Sequence, residues 1–220
     1  MPRKAQILTS LIVNAFITVI TIVIVVSYFF EGPSALMQHS YETFRFFTTD
    51  SNILAALCSL IMVVCDIRLL LHKTDTLPKA AVLLKYIGTV SVMLTFCTTV
   101  LFLVPMHGAS LVSGSYFFVH VSTPLLSLLT LVLTESVCRI RFPAVFLSMI
   151  PMMLYGSVYF TNVVIIGSWR DFYSFNRNGH WLVTTIIMTV STFIIALLTL
   201  LVHNLMYKKL HKISSDSISN

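Results

Sequence analysis

Six apolar runs, each about as long as a bilayer is thick, take up most of this 220-residue chain. They lie at roughly 8–30, 51–71, 81–104, 115–137, 143–166 and 181–205. A helix of about 20 apolar residues crosses the hydrocarbon core, and in lipid every backbone N–H and C=O must find its partner within the protein. Barrel strands would instead alternate in segments of about 10 residues. The chain is 57% hydrophobic and 10% charged, against about 25% charged residues in an average soluble domain. The expectation is an all-α membrane protein, a six-transmembrane-helix bundle, with one domain over 1–213 and a flexible tail over 214–220. The first run is longer than the apolar core of a signal peptide and lacks a clean small-residue cleavage site, so it reads as helix one.

Net charge is +6, and its distribution excludes a nucleic-acid surface. Arg3, Lys4, Arg68, Lys73, Lys79, Lys85, Arg139, Arg141, Lys208, Lys209 and Lys212 flank one set of helix ends. Arg45, Arg170 and Arg177 flank the other. Eleven of the fourteen basic residues therefore fall on one side, which the positive-inside rule makes cytoplasmic. Both termini are expected inside a cell membrane, with lipid headgroups as the partners of these charges.

That orientation sorts the polar residues by depth. The start of helix two reads Thr48-Thr49-Asp50-Ser51-Asn52, and helix four carries His120 before Ser122, Thr123 and Pro124. Helix five brings Tyr155, Tyr159 and Asn162 toward the same outer end, where the loop Trp169–Gly179 would form a rim. Groups of this kind are costly against lipid and should face the bundle or a water-filled space. A cleft between helices two, four and five is expected, above an inner half of mainly Leu, Ile and Val. Plainer roles exist for the same residues. Thr48 to Ser51 are good helix caps. Ser91, Thr95, Thr98 and Thr99 suit backbone or interhelical bonds. The tyrosines and the Trp169 loop suit an interfacial aromatic belt.

His120 lies more than one turn inside an apolar helix, where an ionisable group is a functional candidate. A hydroxyl needs a base to become a nucleophile, and histidine is the commonest one. Thr48 and His120 could form such a pair. Asn52, Tyr155 or Tyr159 could donate to an oxyanion, and Asp50 could orient the imidazole or pair with Arg45. The substrate would be an amphiphilic lipid ester entering from the membrane. A transporter, a lipid-binding protein and a purely structural partner are the competing readings. Cys58, Cys65, Cys97 and Cys138 form no CxxC pair and read as packing residues. No metal motif, nucleotide loop or cofactor fingerprint is present.

The segments Phe46-Phe47-Thr48-Thr49-Asp50-Ser51-Asn52, His120-Val-Ser-Thr-Pro124, and Tyr155 and Tyr159 with Trp169 to Phe175 carry a resemblance. The chain resembles the six-helix family that includes the androgen-induced gene product and the androgen-dependent TFPI-regulating protein, and is most similar to its uncharacterised prokaryotic relatives. The animal members are described as hydrolases of fatty acid esters of hydroxy fatty acids, with a membrane-embedded Thr nucleophile and a His. The resemblance places those roles on Thr48 and His120, or on Thr49 if the alignment slips by one residue. Two features depart from the animal pattern: the Asp-Ser-Asn after the threonines, and a His four rather than five residues before its Pro.

Overall fold

The computed structural model describes residues 3–30 and 40–216; His39 and the end of the expected tail, 217–220, lie outside them. Six helices are long and apolar enough to cross a membrane. They are α1 (Arg3–Ser27), α2 (Phe47–Leu70), α3 (Lys79–His107), α4 (Gly114–Leu133), α5 (Ala144–Ile165) and α6 (Trp181–Asp216). Among the described residues there is no strand. Short 3₁₀ turns precede α2 (Ser40–Arg45), join α3 to α4 (Ala109–Val112) and precede α6 (Arg177–Gly179).

Helix α2 starts earlier than the hydropathy of its run suggests. Its first flanking residue is Phe46, in extended conformation and without a side-chain cap. The first N–H groups of any helix lack intrahelical partners. Here the N–H of Phe47 donates to the Tyr173 hydroxyl at 3.2 Å, from a loop far along the chain. Thr48, Thr49, Asp50 and Ser51 therefore sit inside the helix and are free of the capping role.

Helices α3, α4 and α5 each carry one π turn, at Thr99–Leu103, Phe118–Ser122 and Thr161–Ile165. Pro105 and Pro124 follow the first two closely. A proline has no N–H for the carbonyl four residues back, and a widened turn absorbs that lost bond. Pro124 does this to His120 itself, so the histidine stands in the locally re-aimed turn.

Helix α3 is central and packs against α2, α4, α5 and α6. Its Val82, Tyr86 and Val90 are buried with Met62, Leu131, Val145 and Ala196 in the largest apolar cluster. The Tyr86 hydroxyl donates to the Ala196 carbonyl at 2.8 Å, and Thr89 and Ser127 share a hydrogen bond at 2.8 Å. Against α2 the approach is closer still. A Cβ on Gly88 would stand 3.2 Å from both the Ala55 Cα and the Cys58 Sγ. Small residues that let helices meet this closely are a common device of membrane helix packing. Outward faces are apolar, as at Ile12, Ile61, Leu154 and Leu198.

The core is uneven along the bundle. Its largest cluster lies toward the end where α2 finishes, called here the Glu135 end. At the opposite, Thr48 end a smaller cluster of Phe47, Leu94 and Met152 lies beneath an open space. The Glu135 end is not purely apolar. Lys85, expected beside a loop, is fully buried inside α3, as are Glu135 and Asp66 nearby. Lys85 therefore does not belong with the loop charges that suggested the orientation.

Candidate functional site

The space at the Thr48 end is a cavity of about 790 Å³. That falls within the usual range for small-molecule sites, about 300–1,000 Å³. Helices α2, α3, α5 and α6 and the loop before α6 line it, through residues such as Thr48, Thr95, Met152, Tyr159, Tyr173 and Met188. Helix α4 supplies none of the lining residues, so the cleft lies beside α3 and α6 rather than between α2, α4 and α5. The loop does form the rim, through Tyr173, Ser174, Phe175 and Arg177. Phe102, Met153 and Ile165 line the cavity while more than half exposed on apolar faces. The cavity therefore opens sideways, toward the surface that would meet lipid.

Its polar lining is a group of hydroxyls. Thr48 stands beside the Tyr173 hydroxyl, as does Tyr155. Burial pushes the Tyr173 phenol up to about 12, against the lowering effect of Tyr155, the Phe47 N–H and Thr48. Tyr155 donates to the Arg45 carbonyl at 2.7 Å, and Tyr159 donates to Asp171 Oδ1 at 3.0 Å. Asp171 also receives the N–H groups of Phe175 and Asn176, both at 2.8 Å, and so folds the rim loop. Tyr159 touches the rings of Tyr155, Trp169, Tyr173 and Phe175. The aromatic residues of the loop thus pack on one another around Tyr159, more tightly than a scattered interfacial belt.

The other candidate residues divide among different surroundings. Thr49 is buried and shares a hydrogen bond with Thr43 at 3.1 Å, away from the cavity lining. Of the two threonines, Thr48 is the one on the wall. Asp50 lines a second, smaller cavity of about 300 Å³, with Ser51, Pro151 and Trp169; Phe47 and Tyr155 border both spaces. Arg45 pairs with Glu42 at 3.1 Å and lies over the Trp169 ring. Asn162 is half-buried, donates to the Val158 carbonyl at 2.8 Å and accepts from Ser168 at 2.9 Å. It finishes α5 and is absent from the cavity lining.

Asn52 is fully buried. Its amide donates to the carbonyls of Thr48 at 2.8 Å and Val119 at 3.0 Å. Val119 precedes His120, so one side chain fixes the backbones of both candidate catalytic residues. His120 is buried, stacks on Tyr116, and its Nδ1 lies 2.6 Å from the Leu111 carbonyl. A carbonyl can only accept, so Nδ1 carries the hydrogen, and in the neutral ring Nε2 keeps its lone pair. That is the tautomer a general base needs. His120 does not line the cavity, however. The amide of Asn52 and the hydroxyls of Tyr155 and Tyr159 are also already donating to protein acceptors. An oxyanion would have to displace one of those bonds.

Sequence reasoning passed over Tyr173, the residue that joins Thr48 to the start of α2. Its signal was an aromatic among polar loop residues, which reads equally well as a membrane-surface anchor. Together the fold and the site define a six-helix bundle of membrane-spanning type with a laterally open, hydroxyl-lined cavity at one end. No protein-family model, curated protein or solved structure matches this chain.

Proposed function

We propose that this chain binds an amphiphilic lipid in the Thr48-end cavity, with the acyl portion against the methionines and the polar portion beside Thr48 and Tyr173. The observation that carries this reading is the cavity itself: about 790 Å³, opening between apolar faces, lined by methionines and aromatics and carrying Thr48 and Tyr173 on its wall. The charge asymmetry of the loops supports an outward-facing Thr48 end in a cell membrane, with both termini inside. A photoreactive long-chain ester in lipid nanodiscs tests the proposal. Crosslinks should concentrate on Thr98, Met152 and Met188. Labelling spread evenly over the outer faces of α1 and α6 would overturn it.

Hydrolysis of the bound ester is a second reading, favoured by the tautomer of His120 and by the coupling of Thr48 to Val119 through Asn52. The resemblance to the six-helix family points the same way. In this reading Thr48 attacks the acyl carbon and His120 takes its proton. The ring must first gain access to Thr48, which it lacks on the cavity wall. A lipophilic fluorophosphonate should label the wild type, and neither Thr48→Ala nor His120→Ala should be labelled. Labelling of both variants at the wild-type level rejects hydrolysis and leaves lipid binding intact.

A further inference from the structure

The smaller cavity, about 300 Å³, lies between α2 and α5 and has a different chemistry from the larger one. Aromatic rings make much of its wall: Phe44 from the turn before α2, Phe47 from the first turn of α2, Tyr155 from α5 and Trp169 from the loop after α5. The rings of Phe47 and Tyr155 meet with centroids 5.2 Å apart. Phe44, Leu154 and Val158 line the cavity while exposed, so it opens on the apolar flank of the bundle.

Asp50 is the one charged residue of this lining. It is half-buried, and among the described residues its carboxyl has neither a hydrogen-bond donor nor a cation within salt-bridge distance. It stands in the first turn of α2, where the helix dipole favours the ionised form. A carboxylate held among apolar groups without a partner is unfavourable, and a cation in the cavity would remove that deficit. The nearest cation of the chain does not enter the cavity. Arg45 is not among the lining residues, and Glu42 holds it at 3.1 Å. Its guanidinium carbon lies 5.7 Å from the centre of the Trp169 ring, so this ring already attracts one positive charge.

The remaining wall groups decide which cation fits. The Ser51 hydroxyl donates to the Thr48 carbonyl at 3.1 Å and is in contact with the Thr95 hydroxyl at 2.8 Å. Tyr155 donates to the Arg45 carbonyl at 2.7 Å. An indole N–H is a donor only. Asp50 is thus the one acceptor in the wall whose oxygens are unengaged. A primary ammonium carries three N–H donors and would leave some of them unmet. A metal ion such as calcium takes six or more oxygens. A quaternary ammonium has no N–H to satisfy. It needs a counter-charge and the faces of aromatic rings, and both are present.

We propose that the smaller cavity is a binding site for a quaternary ammonium group, with Asp50 as its counter-charge and the rings of Phe44, Phe47, Tyr155 and Trp169 as its cage. The group belongs either to a choline-type lipid headgroup, arriving through the opening on the apolar flank, or to a free quaternary ammonium solute. The site is independent of what fills the larger cavity.

Saturation-transfer NMR on the N-methyl protons of choline, with the full chain in deuterated maltoside micelles, tests this. The wild type should give a saturable signal, and the uncharged tert-butyl isostere of choline should give none. Asp50→Asn should abolish the signal. Val158→Trp, which places a large ring in the mouth of the cavity from an exposed position, should do the same. Asp75→Asn, which removes a negative charge from the connection between α2 and α3, should leave it unchanged. Suppression by added phosphatidylcholine, but not by phosphatidylglycerol, supports the site and assigns it to a lipid headgroup. A signal that persists against both lipids, and is still lost in Asp50→Asn, supports it as a site for the free solute. No saturable signal in the wild type overturns the proposal even if no variant folds. So does an equal signal from the uncharged isostere, or one undiminished in both Asp50→Asn and Val158→Trp.

Discussion

The side-chain amide of Asn52 reaches from α2 to the carbonyl of Val119 in α4, 3.0 Å away, while its other hydrogen holds the Thr48 carbonyl at 2.8 Å. One residue therefore sets the register between the wall of the cavity and the turn that carries His120. In Asn52→Leu both carbonyls lose a donor in a dry setting. A buried group left without its partner costs about 1–3 kcal/mol. The variant should unfold at a lower temperature than the wild type, measured by thermal scanning fluorimetry in detergent. An unchanged midpoint would mean that the contact contributes nothing.

Gly156 lines the cavity, and a Cβ added there meets just the Met152 Sδ, at 4.0 Å. A larger side chain can therefore enter the open space without moving the backbone. Gly156→Leu should reduce crosslinking of the photoreactive ester severalfold. It should also stabilise the helix by about 0.5–1 kcal/mol, because glycine is a poor helix former. Weaker binding together with a raised unfolding temperature separates occlusion of the cavity from damage to the fold.

Tyr173 supplies the acceptor for the first N–H of α2 and stands beside Thr48. Tyr173→Phe should cost about 1–3 kcal/mol through the unmet N–H. The phenol, ordinarily near 10, is pushed up to about 12 by burial. The folded state thus holds the proton more tightly than the unfolded state does. That preference stabilises the fold fully below about pH 10. It is lost as the pH rises through about 12. Unfolding curves measured across this window should show a wild-type loss that Tyr173→Phe lacks, so the two converge at high pH.

Gly88 stands where α2 and α3 are in close contact. Gly88→Val forces a branched side chain against Ala55 and Cys58, and overpacking of this kind typically costs about 1–3 kcal/mol. Thermal unfolding of the variant should reveal it, and Cys58→Ala in the same chain should restore part of the loss.

Much of this molecule can be read from hydropathy because a membrane span has a fixed length. Each apolar run is one helix, and the threonines and tyrosines do gather at one end. Neighbour relations are not written in the runs. Placing the cleft beside α4 followed from His120 being polar, whereas its lining depends on which helices α3 touches. The start of α2 was hidden because its cap is Tyr173, more than a hundred residues away. Lys85 was taken for a loop charge because it lies near the start of a run. Its signal was available: it is more than one turn inside α3, deep enough to need a partner, as are Asp66 and the Glu135 that follows α4.

The uneven packing of the bundle has a mechanical consequence. One half is filled by interlocking side chains and cross-helix hydrogen bonds, and it behaves as a stiff foot. The other half is hollow, and three of its helices are loosened by π turns. Changes in lateral pressure or bilayer thickness will therefore be absorbed at the hollow half, as small hinge motions of α3, α4 and α5 about their π turns. The opening of the cavity becomes a property of the surrounding lipid as well as of the protein.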